Sequence, residues 1–182
     1  MNSPALLQKT TFVVSPLPDE FSARIRQTLR DDFNRPVIVT IAQGGEPLRD
    51  QLRRASSGER IILCSYQAVS LPSPFAAIGP IFISAEPAAS AARWQDELPP
   101  GYFLRTLALR AYDQQDCITD SAVCEPAAAA EIIHEFLGRA GVTHLHASFA
   151  GHDCFACRFD RSPGTGPVTG AMADRSHFGK PA

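Results

Sequence analysis

The chain has 182 residues, of which 45% are apolar and 20% are charged, and its net charge is −2. This length suits one domain, and this composition excludes a largely disordered chain. The near-neutral charge provides no overall basic field, so the sequence predicts neither a nucleic-acid partner nor a membrane partner.

The predicted elements are strands interrupted by two helices. In chain order they are a strand at residues 11–14, a helix at 20–30, strands at 37–42, 60–67, 81–84, 102–112 and 117–124, a helix at 126–139, and strands at 143–149 and 154–160. The second helix has an apolar stripe at helical spacing, and the strand at 60–67 is apolar on both faces, which is typical of a strand inside a sheet. The sequence therefore predicts a single-domain α+β fold with a largely antiparallel sheet of about six to seven strands and two main helices.

The remaining segments predict connections. Residues 71–80 hold three prolines and predict a loop. Residues 48–55 predict one or two helical turns or a loop, and residues 86–94 predict a surface helical turn. Apolar periodicity ends after Arg161, so we expect one domain over residues 1–161 and a flexible tail over residues 162–182.

Cysteine usage and the first residues indicate the compartment. The five cysteines are an odd number and cannot all pair within one chain. The first nine residues lack the basic start and apolar run of a signal peptide, and no stretch approaches the ~20 apolar residues of a membrane span. We therefore expect a cytoplasmic protein with free thiols.

Four arginines lie within twelve residues, next to three acidic residues. The arginines are Arg49, Arg53, Arg54 and Arg60, and the acidic residues are Glu46, Asp50 and Glu59. Because the excess positive charge is only one, the pattern favours ion pairs on a solvated face over a phosphate site.

Residues 143–161 carry the densest group of reactive side chains, with three of the five histidines and two of the five cysteines. Cys154 and Cys157 lie three apart, so on a strand they would face opposite sides and would not chelate one metal ion. His144 and His146 lie two apart and share a face, so both imidazoles could reach one metal ion. Hydrogen-bonded structural histidines are the alternative.

The same segment predicts a β-hairpin. A four-residue link would place His146 opposite Cys157, and a one-residue bulge would give His146 a different partner. Phe155 and Phe159 are predicted to share a face and to point into the core beneath the helix at residues 126–139, or across from it.

A functional pocket, where one exists, is predicted at the turn end of this hairpin. His146, His152 and Cys154 gather there, and Arg110 and Tyr112 would join them from a neighbouring strand. Polar groups in an otherwise apolar sheet are costly to bury unless they find partners or face a cavity. A hydrogen-bonded structural cluster would give the same pattern.

Four short motifs are spread over the predicted domain. They are Gly58-Glu59-Arg60 before a buried strand with Tyr66, Ser73-Pro74-Phe75 followed by Ile81-Phe82-Ile83, Arg110-Ala111-Tyr112-Asp113, and the closing His146…Cys154-Phe155-x-x-Arg158-Phe159-Asp160-Arg161. Together they resemble the bacterial domain-of-unknown-function family numbered 1203, over about residues 12–161. The resemblance implies a small, stand-alone bacterial cytoplasmic protein and implies no reaction.

The chain departs from that family pattern at two positions. Leu48 stands in Pro47-Leu48-Arg49 where members often carry Pro-Cys-Arg, so an early family thiol is absent. Ser148 stands where some members have a second histidine or an arginine.

Three functions fit these observations. The first is a non-catalytic binding module for a small ligand or a protein partner. The second is a thiol-dependent enzyme with Cys154 as the nucleophile and His146 as the base. The third is a metal-binding protein that uses His144 and His146. We expect no cofactor and no stoichiometric zinc, and the sequence indicates no oligomeric state.

Overall fold

The computed structural model describes residues 10–69, 72–88 and 94–163. Its elements are β1 (Phe12–Ser15), α1 (Asp19–Thr28), β2 (Ile38–Ile41), β3 (Pro47–Leu48), β4 (Arg53–Arg54), β5 (Arg60–Gln67), β6 (Ile78–Ser84), β7 (Trp94–Gln95), β8 (Leu107–Tyr112), β9 (Ile118–Cys124), α2 (Pro126–Gly138), β10 (His144–Phe149) and β11 (Cys154–Arg161). Two helices and mostly antiparallel strands confirm the predicted α+β fold class. None of the helices in these ranges is long and apolar enough to cross a membrane.

The larger sheet has six strands in the order β7-β1-β11-β10-β8-β9, and all its pairings are antiparallel. One face of this sheet packs against α2, and the side chains that the strands bury there are all apolar. They include Phe12, Val14, Leu107, Leu109, Leu145 and Phe159, which meet Ala129, Ile133, Phe136 and Leu137 of the helix. We call this face the helix face.

The second sheet has five strands in the order β2-β5-β6-β3-β4. Ile62 and Cys64 of β5 and Ile81 and Ile83 of β6 form a buried cluster with residues of α1. Strand β5 lies between β2 and β6, as its apolar character on both faces predicts. Phe155 of the larger sheet packs against the same cluster, so the two sheets share a contact.

A β-bulge interrupts the pairing of β10 with β11. Ala147 pairs with Cys157 but Ser148 pairs with Phe155, which leaves Ala156 as the extra residue. The bulge shifts the register by one, so His146 lies opposite Arg158, and the predicted pairing with Cys157 is wrong. It also reverses the alternation of side chains along the strand. Phe159 therefore joins the helix face as predicted, whereas Phe155 points to the other side and its prediction is wrong.

Buried donors hold this bulge from two directions. Arg49 Nε donates to the Phe155 carbonyl oxygen at 2.9 Å, and Tyr102 Oη donates to the Ala156 carbonyl oxygen at 2.9 Å. Carbonyls in an interrupted ladder need such partners because an unpaired buried acceptor is costly.

The connecting segments differ most from the sequence predictions. Residues 48–55 form part of a small hairpin of β3 and β4. Strand β6 begins at Ile78, inside the predicted loop, and Pro80 is tolerated there because β6 pairs with β3 only at Phe82. The strand predicted from residue 102 begins at Leu107, since Tyr102 and Phe103 turn into the core.

Two predicted segments fall partly or wholly outside the described residues. In the predicted helical turn at 86–94, residues 89–93 are not described, and Trp94 belongs to β7. The predicted tail lies outside the described residues from 164 onward. The domain boundary at Arg161 therefore stays a prediction.

Candidate functional site

The face of the larger sheet that points away from α2 is polar, and we call it the polar face. Alternation places Tyr112 and Arg110 of β8 on it, with His144 and His146 directly opposite them on β10. Ser148 of β10, with Arg158 and Asp160 of β11, continues the same face. The structure confirms the faces predicted for β8. Leu107 and Leu109 lie on the helix face, and Arg110 and Tyr112 lie on the polar face.

A cavity of about 440 Å³ lies against the polar face, and we call it the Arg110 cavity. Strands β8 and β10 and the turn at His152–Cys154 line one side of it. Tyr66, Phe75 and the start of β6 line the other side. The cavity lining includes all five residues predicted for a pocket, which are Arg110, Tyr112, His146, His152 and Cys154.

A second cavity of about 420 Å³ adjoins the first, and we call it the Arg158 cavity. It lies between Arg158 and Asp160 of β11 and the residues that lead into α1. Tyr66, His146 and Phe155 line both cavities and therefore stand between them.

His146 is the central side chain of this arrangement. It is only 8% exposed, and its ring lies 4.8 Å from Tyr112, 4.9 Å from His144 and 5.2 Å from Phe155, measured between ring centroids. Burial, together with nearby His144 and Arg158, lowers the pKa of His146 to about 3. Its imidazole is therefore neutral at physiological pH, and it forms no hydrogen bond with any described residue.

His144 is held more firmly than His146. Its ring stacks on Tyr112 at 5.1 Å with an interplanar angle of 8°, and its Nδ1 lies 2.9 Å from Thr143 Oγ1. Burial lowers the pKa of His144 to about 4, so this imidazole is also neutral. The Tyr112 hydroxyl has no hydrogen-bond partner in the described part of the chain, and Tyr112 lines the Arg110 cavity.

The charged groups at the Arg110 cavity are paired with each other. Arg110 donates to Asp153 Oδ2 at 2.8 Å, and Ser148 Oγ donates to Asp153 Oδ1 at 2.6 Å. The hydrogen bond from Arg110 is the main reason that the pKa of Asp153 lies below its usual range. At the neighbouring cavity, Arg158 Nε donates to Asp160 Oδ1 at 2.8 Å.

Cys154 and His146 line the same cavity but do not form a pair. The Cys154 thiol donates to the His152 carbonyl oxygen at 3.6 Å. Cys154 pairs with Phe149, three residues along β10 from His146, which is a separation of about 10 Å at strand spacing. Cys157 pairs with Ala147 and Cys154 with Phe149, and both β10 residues belong to the helix face, so the bulge at Ala156 places the two cysteines on the same side and the prediction of opposite sides is wrong.

Metal ligands do not converge among the residues in the described ranges. No group of three or more His, Cys, Asp or Glu side chains is placed to hold a metal ion there. His144 and His146 share a face as predicted, but they pack against Tyr112 rather than around a common point.

The arginine cluster contains the residue that sequence reasoning missed. Arg53 pairs with Glu59 at 2.5 Å, in line with the predicted ion pairs. Arg49 is instead only 3% exposed, lies over the Phe149 ring and donates to the carbonyl oxygens of Phe155 and Pro47. The adjacent Asp50 binds Arg26 instead of Arg49, and no signal in the sequence marks Arg49 as buried.

Tyr66 and Phe75 were also not predicted as site residues, although both line the Arg110 cavity. They come from the second sheet and the segment before β6, so only the packing of the two sheets brings them to the polar face.

The two sheets and the two adjoining cavities beside the polar face make this a small α+β protein with a candidate pocket. The chain belongs to the family described as protein of unknown function (DUF1203), which matches residues 45–161. This confirms the resemblance found in the sequence motifs, and the matched range includes β3 to β11. No curated protein and no solved structure matches the chain.

Proposed function

We propose that this protein is a small-molecule-binding module and that its ligand occupies the Arg110 cavity. The observation that carries the proposal is His146, a buried neutral imidazole that lines both cavities without a hydrogen bond to the described chain. A volume of about 440 Å³ falls within the range of known small-molecule sites.

The His146 nitrogens are not among the fully buried polar atoms that lack a partner, so they are open to the cavities rather than sealed inside the protein. A ligand in the Arg110 cavity would make a hydrogen bond with this imidazole, and such a bond contributes about 0.5–1.5 kcal/mol. The Tyr112 hydroxyl next to it would provide a second anchoring point.

The geometry supports small-molecule binding better than a thiol-dependent enzyme or a metal-binding protein. A thiol mechanism needs a base within hydrogen-bond reach of the Cys154 sulfur, and His146 lies on a different part of the hairpin. A metal mechanism with His144 and His146 needs at least one more protein ligand, and the described residues contain no such group of three.

Binding can be tested with benzamide, phenol and indole as aromatic probes, observed by amide NMR shifts of the protein. We expect at least one probe to shift the amides of Ser148 and Asp153, and the affinity to fall at least tenfold in Tyr112→Phe. Thr28→Val is the control, because it removes a hydroxyl that is bonded to the Arg24 carbonyl oxygen at the end of α1 and does not line the cavity, and it should change the affinity less than twofold. Failure of all three probes to shift these amides would overturn the proposal.

A further inference from the structure

We infer that the Arg110 cavity selects an uncharged aromatic ligand that carries a hydrogen-bonding group, such as an aryl amide or a phenol. This inference rests on the proposed binding function and specifies the chemistry of the ligand. It follows from the charges, the unpartnered polar groups and the aromatic rings of the cavity lining.

The ionic charges of the lining cancel. Arg110 and Asp153 are the only Arg, Lys, Asp or Glu residues among those that line the cavity, and they bind each other at 2.8 Å. Ser148 occupies the second carboxylate oxygen of Asp153. A charged ligand would therefore lose its hydration without meeting an unpaired counter-charge, and this desolvation is costly.

The polar groups that remain open to a ligand are neutral. The hydroxyls of Tyr66 and Tyr112 have no hydrogen-bond partner among the described residues, and neither has the His146 imidazole. Burial raises the pKa of both tyrosines, so both stay protonated at neutral pH. A phenol hydroxyl donates and accepts, and a neutral imidazole offers one donor and one acceptor. These groups complement an amide or a hydroxyl.

The walls of the cavity are rich in aromatic rings. Between ring centroids, Tyr66 lies 5.1 Å from Phe155, and Phe155 lies 5.2 Å from His146. His146 in turn lies 4.8 Å from Tyr112. Phe75 and Ile78 line the same cavity but are 41% and 49% exposed. An aromatic ring in the cavity would cover this apolar surface and pack at an angle against the lining rings.

Three matched probes separate charge from shape. Benzamide, benzoate and benzamidine share one ring and differ in the charge of one substituent, and each can be titrated at pH 7 while the amides of Ser148 and Asp153 are followed. We expect benzamide to bind at least tenfold more tightly than either ion.

Asp153→Asn tests the cause of this selectivity. Asparagine suits the left-handed backbone at this position, where φ is +53°, and it leaves Arg110 without its carboxylate. We expect benzoate affinity to rise at least tenfold in this variant. Asp160→Asn is the matched control, because it frees Arg158 on the other cavity, and it should leave benzoate binding at the Arg110 cavity within twofold.

The outcomes separate this inference from the proposed function. If benzoate or benzamidine binds the natural protein as tightly as benzamide, or if Asp153→Asn fails to strengthen benzoate binding, the inference is overturned while the cavity remains a binding site. If none of these three probes shifts the two amides, the inference is overturned, and the proposed function is overturned with it when phenol and indole also fail.

Discussion

The helix face and the polar face belong to the same strands, yet they contain opposite kinds of side chain. The helix face buries aliphatic and aromatic residues against α2. The polar face carries His146, Tyr112 and Arg110 beside two cavities. Because alternate residues of a strand point to opposite faces, each strand contributes both to stability and to a site. The comparison predicts that substitutions on the helix face affect mainly stability, and that substitutions on the polar face affect mainly the proposed binding.

The bulge of β11 determines which of its side chains point to the helix face and which point to the polar face. With a regular ladder, Phe155 would join Phe159 on the helix face. The extra residue Ala156 directs Phe155 to His146 and Tyr66 instead. Arg49 and Tyr102 donate hydrogen bonds to the carbonyl oxygens of the bulge. Residues far away in sequence therefore stabilise the bulge that places Phe155 on the polar face and Phe159 on the helix face.

Two phenylalanines of β11 provide the strongest test of the division. Phe159 is fully buried and meets Phe12 edge-to-face at a centroid distance of 5.6 Å. We expect Phe159→Ala to lower the free energy of unfolding by about 3–5 kcal/mol. Phe155→Ala should lower it by only about 1–2 kcal/mol, because Phe155 is half-buried beside the cavities. Urea unfolding measures both values, and equal losses would contradict the division.

Acidification should lower the stability of the folded protein because His146 is buried as a neutral imidazole. In the unfolded chain an imidazole takes up its proton near pH 6.5, whereas in the folded protein the pKa of His146 is about 3. Between these values the unfolded state binds more protons, so the free energy of unfolding falls as the pH drops. Between pH 7 and pH 5, we expect the free energy of unfolding to fall by about 2 kcal/mol less in His146→Gln than in the natural protein.

The control for this pH effect is His152→Gln. His152 is exposed at the turn of the same hairpin, so this variant should follow the natural protein over the same pH range. If His146→Gln also followed the natural protein, His146 would not be buried as described.

A pair of hydroxyl deletions gives a smaller difference. Tyr102→Phe leaves the buried Ala156 carbonyl without its donor and should cost about 1–2 kcal/mol of unfolding free energy. Tyr112→Phe removes a hydroxyl without a partner in the described chain, and it should change stability by less than about 0.5 kcal/mol. The reverse order would show that the Tyr112 hydroxyl supports the fold rather than a ligand.

The proposed boundary near Arg161 predicts the smallest effect. Deleting residues 164–182 should change the free energy of unfolding by less than about 0.5 kcal/mol, since neither sheet face should depend on them. Limited proteolysis that first cleaves within residues 58–112 would contradict a single domain ending at this boundary.

Local patterns in the sequence predict much of this fold. The two-sided apolar run predicts β5 with its observed limits, and alternation in β8 assigns Leu109 and Arg110 to the correct faces. The same patterns place Arg110, Tyr112 and His146 on one face of adjacent strands, although Tyr112 lies at the end of the sheet away from the turn that carries His152 and Cys154.

What the sequence does not predict depends on distant partners. The bulge is stabilised by Arg49 and Tyr102, which lie 106 and 54 residues away from the carbonyls they bind. Arg49 looks like a surface residue because its partners are backbone oxygens, which no residue type reveals. Tyr66 reaches the site only after the second sheet packs against the first.

The ring of His146 gives the most direct test of the central claim that the polar face holds a ligand through a buried neutral imidazole. In protein with isotope-labelled histidines, NMR follows each imidazole, and His146→Gln identifies the signals of His146. We predict that these signals remain those of a neutral ring from pH 8 to pH 5, and that both ring nitrogens shift when benzamide is added. A ring that takes up its proton near pH 6.5, or one that saturating benzamide leaves unchanged, would contradict the account.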